Sequence, residues 1–255
     1  MEEVFNENYS NIYDLINKDK DYQKETNYIN ELIQNHRKNA KSILDLGCGT
    51  GIHDELLYDK GYEMCGVDMS PKMLQIAKKR IRSRGKKIDL VCSDITKLDL
   101  NKKYDVVISL FHVMSYQNNN EKILKAFSTA KKHLKANGIF IFDFWYGPGV
   151  ISDKPFTRIK RVENENIKCL RLSESTMCSE TNCVDVSFEM YVSSKTNDSK
   201  VDITKETHRM RYFFDPELKL ISDLSEFKLM KRYKWLTFDK PDFSTWNAVW
   251  ILENK

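Results

Sequence analysis

The chain has 255 residues, 41% of them hydrophobic and 31% charged, with a net charge of +4. That length builds one sizeable core with room for an inserted subdomain. The positive excess is mostly lysine and lacks interleaved aromatics, which argues against a nucleic-acid partner, and no apolar run approaches the length of a membrane span.

Residues 4 to 18 carry Phe5, Tyr9, Ile12, Tyr13 and Ile16 at helical spacing. Tyr22 to Arg37 repeats the pattern with Tyr22, Thr26, Ile29, Leu32 and Ile33. Tyrosines on such stripes usually lie at the rim of a core. From Ile43 to Gly51 the chain reads Ile-Leu-Asp-Leu-Gly-Cys-Gly-Thr-Gly, a buried strand broken by three glycines at alternate positions. An amphipathic run from Ile52 to Tyr58 follows as a helix. Strand, glycine turn and helix suggest a ligand against a helix N-terminus in an open α/β sheet. Ile52 stands where a dinucleotide fold wants its third glycine, and no Gly-Lys-Ser/Thr follows, so neither common nucleotide loop fits. The next strand, Glu63 to Val67, closes on Asp68, well placed to accept from two ribose hydroxyls.

Ser70 as N-cap and Pro71 at the first helical position open a helix over 71–83. Its basic end, Lys78 through Lys87, suits the helix dipole or, less simply, a phosphate. Strand 88–92 ends at Ser93-Asp94-Ile95, followed by strand 104–109, helix 119–135, a turn at Lys135 to Gly138 and strand 138–144. This alternation implies a mainly parallel, doubly wound sheet. From about Phe156 the period becomes two. Val184, Val186, Phe188, Met190 and Val192 alternate with polar residues, and segments 157–164, 167–177 and 200–214 also read as strands, with turns at residues 163–166 and at Asn197-Asp198. Helix 215–225, strand 227–235 and strand 246–252 complete the sheet. Six cysteines at 48, 65, 92, 169, 178 and 183 contain no C-x-x-C pair. Cys48, Cys65 and Cys92 lie in or beside buried strands and read as small apolar residues. Cys178 and Cys183 could face each other across a hairpin. Residues 1–10 are polar and acidic, without the apolar core of a leader peptide. Reduced thiols, a cytoplasmic protein and no structural metal are expected.

The glycine turn with Asp68 at this spacing resembles motifs I and II of the class I S-adenosylmethionine (SAM) methyltransferases. Tyr13-Asp14, Lys18 to Tyr22, Leu44 to Gly51 with His53, Asp68 to Leu74, Ser93-Asp94, Ser109-Leu110-Phe111 and Asp143 to Tyr146 extend the likeness. Together they resemble the nucleotide-linked amino-sugar N-methyltransferases across nearly the whole chain. The resemblance implies a Rossmann-like α/β sheet, mainly parallel with an antiparallel last strand, under N-terminal covering helices and beside an antiparallel β insertion. The expected divisions are 1–40 for the covering helices, 41–150 for the SAM-binding core, 151–214 for the insertion and 215–255 for completion of the core sheet.

It further implies SAM as cofactor, with S-adenosylhomocysteine as product, held by Tyr22, Asp45, Gly47, Cys48, Gly49, Gly51, Asp68, Met69, Asp94, Ile95 and Leu110. Asp45 would act near the amino-acid end. Asp94 would meet the adenine amino group, or cap a turn, and Met69 with Ile95 would sandwich the ring, or pack in the core. On the acceptor side it points to Tyr13, His112, Tyr116, Asp143 and Trp145. His112 can equally bond backbone, and Trp145 can simply pack. The acceptor would be a small molecule, a nucleotide-linked amino sugar, with a sugar hydroxyl as the alternative. A homodimer through the insertion is also implied, with no nucleic acid or membrane partner and no metal. The chain departs from antibiotic-pathway members, which carry Glu-Pro-Trp-Trp at 143–146, a histidine at Tyr116 and an arginine at Trp246.

Overall fold

A computed structural model describes residue 5, residues 7–196 and residues 201–255. Two helices lead, α1 (Glu7–Ile16) and α2 (Tyr22–His36). The α/β alternation then runs β1 (Ser42–Leu46), α3 (Ile52–Asp59), β2 (Glu63–Asp68), α4 (Pro71–Ser83), β3 (Asp89–Cys92), β4 (Tyr104–Ser109), α5 (Asn120–Lys132), β5 (Leu134–Tyr146) and the short α6 (Gly147–Ser152). Four long strands follow: β6 (Arg158–Glu163), β7 (Ile167–Cys178), β8 (Cys183–Ser194) and β9 (Val201–Phe213). Helix α7 (Asp215–Leu224), β10 (Phe227–Lys234) and β11 (Asn247–Asn254) close the chain.

The strands β3-β2-β1-β4-β5 are parallel, with β1 in the middle, and β11 joins β5 antiparallel before pairing with β10. Every residue of β1 and β4 is buried, as expected of strands covered on both faces. Alternate side chains serve opposite layers. Leu44, Leu46, Phe140, Phe142, Phe144 and Trp250 face α5 and α7, while Ile43, Val106, Ile108, Ile141 and Val249 face α2 and α3. The first layer is tightened by Phe127, which meets Phe140 edge-on at 5.6 Å and 84°.

Strands β6 to β9 form an antiparallel sheet in the order β9-β8-β7-β6, tied to the core where Trp145 and Tyr146 of β5 pair with Tyr212 and Phe213 of β9. Helix α1 does not pack in the main core. Its Tyr9, Ile12 and Ile16 share a cluster with Met73 of α4 and with Val162, Cys169 and Met190 of the antiparallel sheet.

Several boundaries differ from the sequence reading. The first helix is shorter than 4–18, and Val4 and the Asn197-Asp198 turn lie outside the described residues. Helix 119–135 stops at Lys132. Residues 135–138 are a bulge within β5, where the register jumps from Tyr104↔Leu134 to Val106↔Ile139 and Asn137 takes φ 58°. Cys92 is exposed, because β3 is the edge strand and its last residue has no cover. Cys178 and Cys183 do pair in register, as free thiols. The 3-10 turn at Val113–Tyr116 and α6 were not anticipated. No helix among the described residues is long and apolar enough to cross a membrane.

Candidate active site

The glycine turn is locked onto β2, since Gly47 N–H and Cys48 N–H both donate to Val67 O at 2.8 and 2.9 Å. Gly47 has φ +95°, and a Cβ there would strike Val113 at 2.5 Å. At Gly49, φ is +54° and a Cβ would meet nothing within 4 Å, so the turn opens onto free space. Asp68 borders that space. Its Oδ2 accepts Gly49 N–H and its Oδ1 accepts Ser70 N–H, each at 2.8 Å. Burial raises the Asp68 pKa, and these two hydrogen bonds pull it back. Met69 beside it is 66% exposed, whereas Ile95 is buried. Asp94 Oδ1 closes a turn by accepting Thr96 N–H and Oγ1–H at 2.8 Å. Leu110 and Cys48 are both buried, Leu110 in the core layer that includes α2.

Asp45 is buried, and its carboxyl meets a residue the sequence reading missed, Asp54 of α3. Burial and mutual repulsion raise Asp45 well above the carboxylate range, and burial pushes Asp54 up to about 7. Asp45 Oδ1 and both oxygens of Asp54 have no N–H or O–H donor among the described residues, and beside the Cys48 thiol a proton held between the two carboxyls satisfies the pair. Gly66 makes the room, since a Cβ there would lie 2.2 Å from Asp54 Oδ2 and 2.8 Å from Cys48 Sγ. The available signal was spacing: Asp54 precedes the core residue Leu57 by three and so shares its buried face.

The cover is latched onto this turn. Thr50 Oγ1–H donates to Asp14 Oδ1 at 2.8 Å, and Arg80 pairs with Asp14 while its Nε–H reaches Thr50 O at 3.1 Å. Glu25 of α2 pairs with Lys20 and lies 2.8 Å from His53 Nε2. Burial alone would raise Glu25, but the hydrogen bonds and charges of His53 and Lys20 hold it below its ordinary value. Burial lowers both Lys20 and His53. The Lys20 ammonium also sits 4.5 Å from the Tyr22 ring centre and 4.2 Å from that of Phe111.

The five acceptor-side candidates fall into two groups. Asp143 and Trp145 share one face of β5, beside the Phe111-His112 corner, where both residues have positive φ, 63° and 64°. Asp143 is 1% exposed and accepts His112 N–H at 3.2 Å. His112 Nδ1 lies 2.7 Å from Asp143 Oδ2, but off the ring N–H direction, which makes it a close electrostatic contact and not an in-line hydrogen bond. Trp145 stacks edge-on against Trp246 at 5.3 Å, and Trp246 Nε1–H donates to Asp153 O. A cleft of about 380 Å³ opens here, lined by Asn17, Lys20, Phe111, His112, Asp143 and Asn247. Tyr13 and Tyr116 form the second group, each feeling the charge of Asp68. Burial pushes both hydroxyls well above the ordinary tyrosine range. Tyr116 Oη lies 2.7 Å from His208 Nδ1, a partner on β9 that the sequence reading also missed.

The residues present fit SAM. The turn offers an open backbone face at Gly49, an acidic rim at Asp68 and an exposed apolar shelf at Met69. Residues 43–138 match the family model described as a methyltransferase domain. Over these residues the chain carries a methyltransferase domain, and its sheet has the Rossmann-like fold of the solved SAM-dependent methyltransferases it resembles.

Among its relatives is a dTDP-3-amino-3,4,6-trideoxy-alpha-D-glucopyranose N,N-dimethyltransferase of Streptomyces venezuelae, 28% identical, aligned over 59% of this chain and 62% of its own length. A dTDP-4-amino-2,3,4,6-tetradeoxy-D-glucose N,N-dimethyltransferase of Saccharopolyspora spinosa is 25% identical over 72% of this chain and 73% of its own. Among solved structures, a SAM-dependent methyltransferase from Clostridium acetobutylicum ATCC 824 superposes with a TM-score of 0.83. It is 24% identical, over 96% of this chain and 97% of that one. In sequence and layout the chain therefore resembles amino-sugar N-methyltransferases.

Proposed function

We propose that the enzyme methylates the amine of a nucleotide-linked amino sugar. The observation that carries this reading is the acceptor cleft, about 380 Å³ in volume, with the buried carboxylate of Asp143 at its wall and His112 against it. A buried carboxylate attracts an ammonium, and the neutral amine that follows needs no strong base. The amino-sugar N,N-dimethyltransferases among the relatives support the same substrate class.

When bound, SAM supplies a methyl group already activated by its sulfonium. The chain's own residues then have three tasks. The glycine turn and Asp68 hold the cofactor, which leaves the Asp143 wall to set the acceptor nitrogen in line, and such positioning can supply on the order of 7–11 kcal/mol. The covering helices, latched through Asp14 and Glu25, exclude water. His112 and Asp143 can accept the proton that a bound ammonium must lose, and Tyr13 and Tyr116, being neutral phenols, can hydrogen-bond the amine or pass a proton on.

A second reading is favoured by one distance. His112 Nδ1 lies 2.7 Å from a buried carboxylate, and a ring turned into line with it would be a base able to deprotonate a sugar hydroxyl. The experiment that separates them incubates the enzyme and SAM with nucleotide-linked 3- and 4-amino hexoses and their hydroxyl counterparts. Release of S-adenosylhomocysteine is followed, and the new methyl is located by mass spectrometry and NMR. N-methyl products are expected. Turnover of only the hydroxyl sugars would replace the amine reading with the hydroxyl one.

A further inference from the structure

Behind Tyr116 stands a pair of buried groups to which the foregoing function gives no role. His208 Nδ1 lies 2.7 Å from Tyr116 Oη, and His208 Nε2 lies 2.9 Å from Glu206 Oε2. Both are 2% exposed, alternating with Thr204 and Met210 on the inward side of β9. An imidazole and a carboxylate this deep cost desolvation energy unless their polar atoms are satisfied.

The hydrogen bonds fix the proton positions. Glu206 Oε2 also accepts the Phe5 backbone N–H at 3.0 Å, which marks that oxygen as an acceptor. It therefore accepts His208 Nε2–H as well, and Nδ1 is the unprotonated nitrogen. Nδ1 in turn must accept the Tyr116 O–H. The remaining lone pairs of the Tyr116 oxygen are then free to accept from a bound donor, and the residue as a whole is half-buried, not sealed. A tyrosine so arranged receives a proton only if it passes its own backward.

We infer that Glu206 and His208 make Tyr116 a proton relay for the acceptor amine, with His208 and Glu206 as positioning residues that act through the tyrosine. The inference rests on the amine reading above. An ammonium N–H in contact with Tyr116 Oη gives its proton to that oxygen as the tyrosine's own proton moves to His208 Nδ1. The amine keeps the bonding pair as its lone pair, the tyrosine stays neutral and the imidazolium is held by the Glu206 carboxylate. The reverse shift returns the proton to water after product leaves. A free tyrosinate never forms, in keeping with the burial that pushes the Tyr116 hydroxyl far up. Among the described residues, the other groups facing the relay include Phe5, then Tyr9 and Tyr13 of α1, Phe188 of β8, Asp68 toward Tyr116, and Arg171 of β7, stacked 4.9 Å from Phe188. Tyr9, pushed up to about 12 chiefly by burial, stays neutral beside the imidazole.

The test is the pH dependence of kcat for the whole enzyme with SAM and a nucleotide-linked amino hexose, compared between wild type and His208→Gln. Glutamine can still accept the tyrosine O–H but cannot take its proton. The variant should lose about tenfold or more in kcat at neutral pH, with acceptor KM and SAM affinity little changed. It should recover toward wild type at alkaline pH, where the amine arrives unprotonated. A loss of the same size at every pH, or none, would overturn the relay. Independently of folding in the variant, ¹⁵N NMR of the imidazole in wild-type protein with S-adenosylhomocysteine should show Nε2 protonated and Nδ1 bare. A protonated Nδ1 would also overturn it. Failure of the amine reading itself looks different: wild-type enzyme that binds SAM yet turns over no amino sugar.

Discussion

Asp68 holds two backbone donors that have no other acceptor in the glycine turn, and its carboxylate also faces the cofactor space. Asp68→Ala therefore removes both the turn's clasp and the proposed ribose partner. SAM affinity measured by calorimetry should weaken by roughly 1.5–3 kcal/mol, the usual worth of a hydrogen bond to a charged group. Unchanged affinity would remove Asp68 from the site. The Asp45–Asp54 pair makes a pH prediction. Asp54 rises from 3.8 to about 7 on folding, so between those values the native state keeps a proton that the unfolded chain has released. Stability contributed by that proton is full below pH 4 and is lost as pH rises through 7. Asp54→Asn has no such proton to lose. Relative to wild type it should gain on the order of 2 kcal/mol between pH 5 and pH 8, at up to about 1.4 kcal/mol per unit. Denaturant unfolding at both pH values checks this, and a constant difference would show that the pair shares no proton. At this scale Asp68 was legible because a strand, three glycines and an acid at fixed spacing form one local unit. Asp54 was not, since an acid in a first helical turn reads equally as a dipole partner.

Among the elements, the covering helices are held less by their own propensity than by two polar latches. Glu25 serves both the ammonium of Lys20 and the ring of His53, and all three side chains are about 10% exposed. Glu25→Ala would leave Lys20 and His53 buried without their carboxylate. Breaking such a pair costs about 3–5 kcal/mol, and here part of the loss falls on docking of α2 against α3. We expect a lower melting temperature and weaker SAM binding, with the far-UV spectrum of the core unchanged. A variant with wild-type stability would show that Glu25 latches nothing. The helices themselves were legible from period 3.6, and β9 from its position among segments of period two. What the period could not disclose is which inward residues of β9 meet Tyr116, because the contact spans 92 residues of chain. A trace was present even so: Glu206 and His208 occupy inward positions of a strand, where charge needs a partner.

For the molecule as a whole, the notable arrangement is that α1 packs with the antiparallel sheet and not with the main core. Tyr9, Ile12 and Ile16 join Val162, Cys169 and Met190, and among the described residues Met73 of α4 is the buried member of that cluster from the SAM-binding half. Helix α1 also carries Asp14, which reaches Thr50 and Arg80 at the glycine turn. Cofactor bound at the turn should therefore be felt through α1 by strands that never touch it. The central strands β1, β4 and β5 have little further protection to gain, being buried throughout or nearly so. The peripheral cluster, by contrast, can open locally at a lower cost than global unfolding. Hydrogen exchange with and without S-adenosylhomocysteine tests this directly. Amides of α1, β6 and β7 should slow together by a common factor, because one opening exposes all of them. At 100 times its dissociation constant the ligand stabilises the closed form by about 2.7 kcal/mol, which sets a ceiling of roughly a hundredfold on that factor. Protection of α1 alone, with β6 and β7 unchanged, would mean that the helix closes over the cofactor as an independent flap and that the antiparallel sheet plays no part in closure.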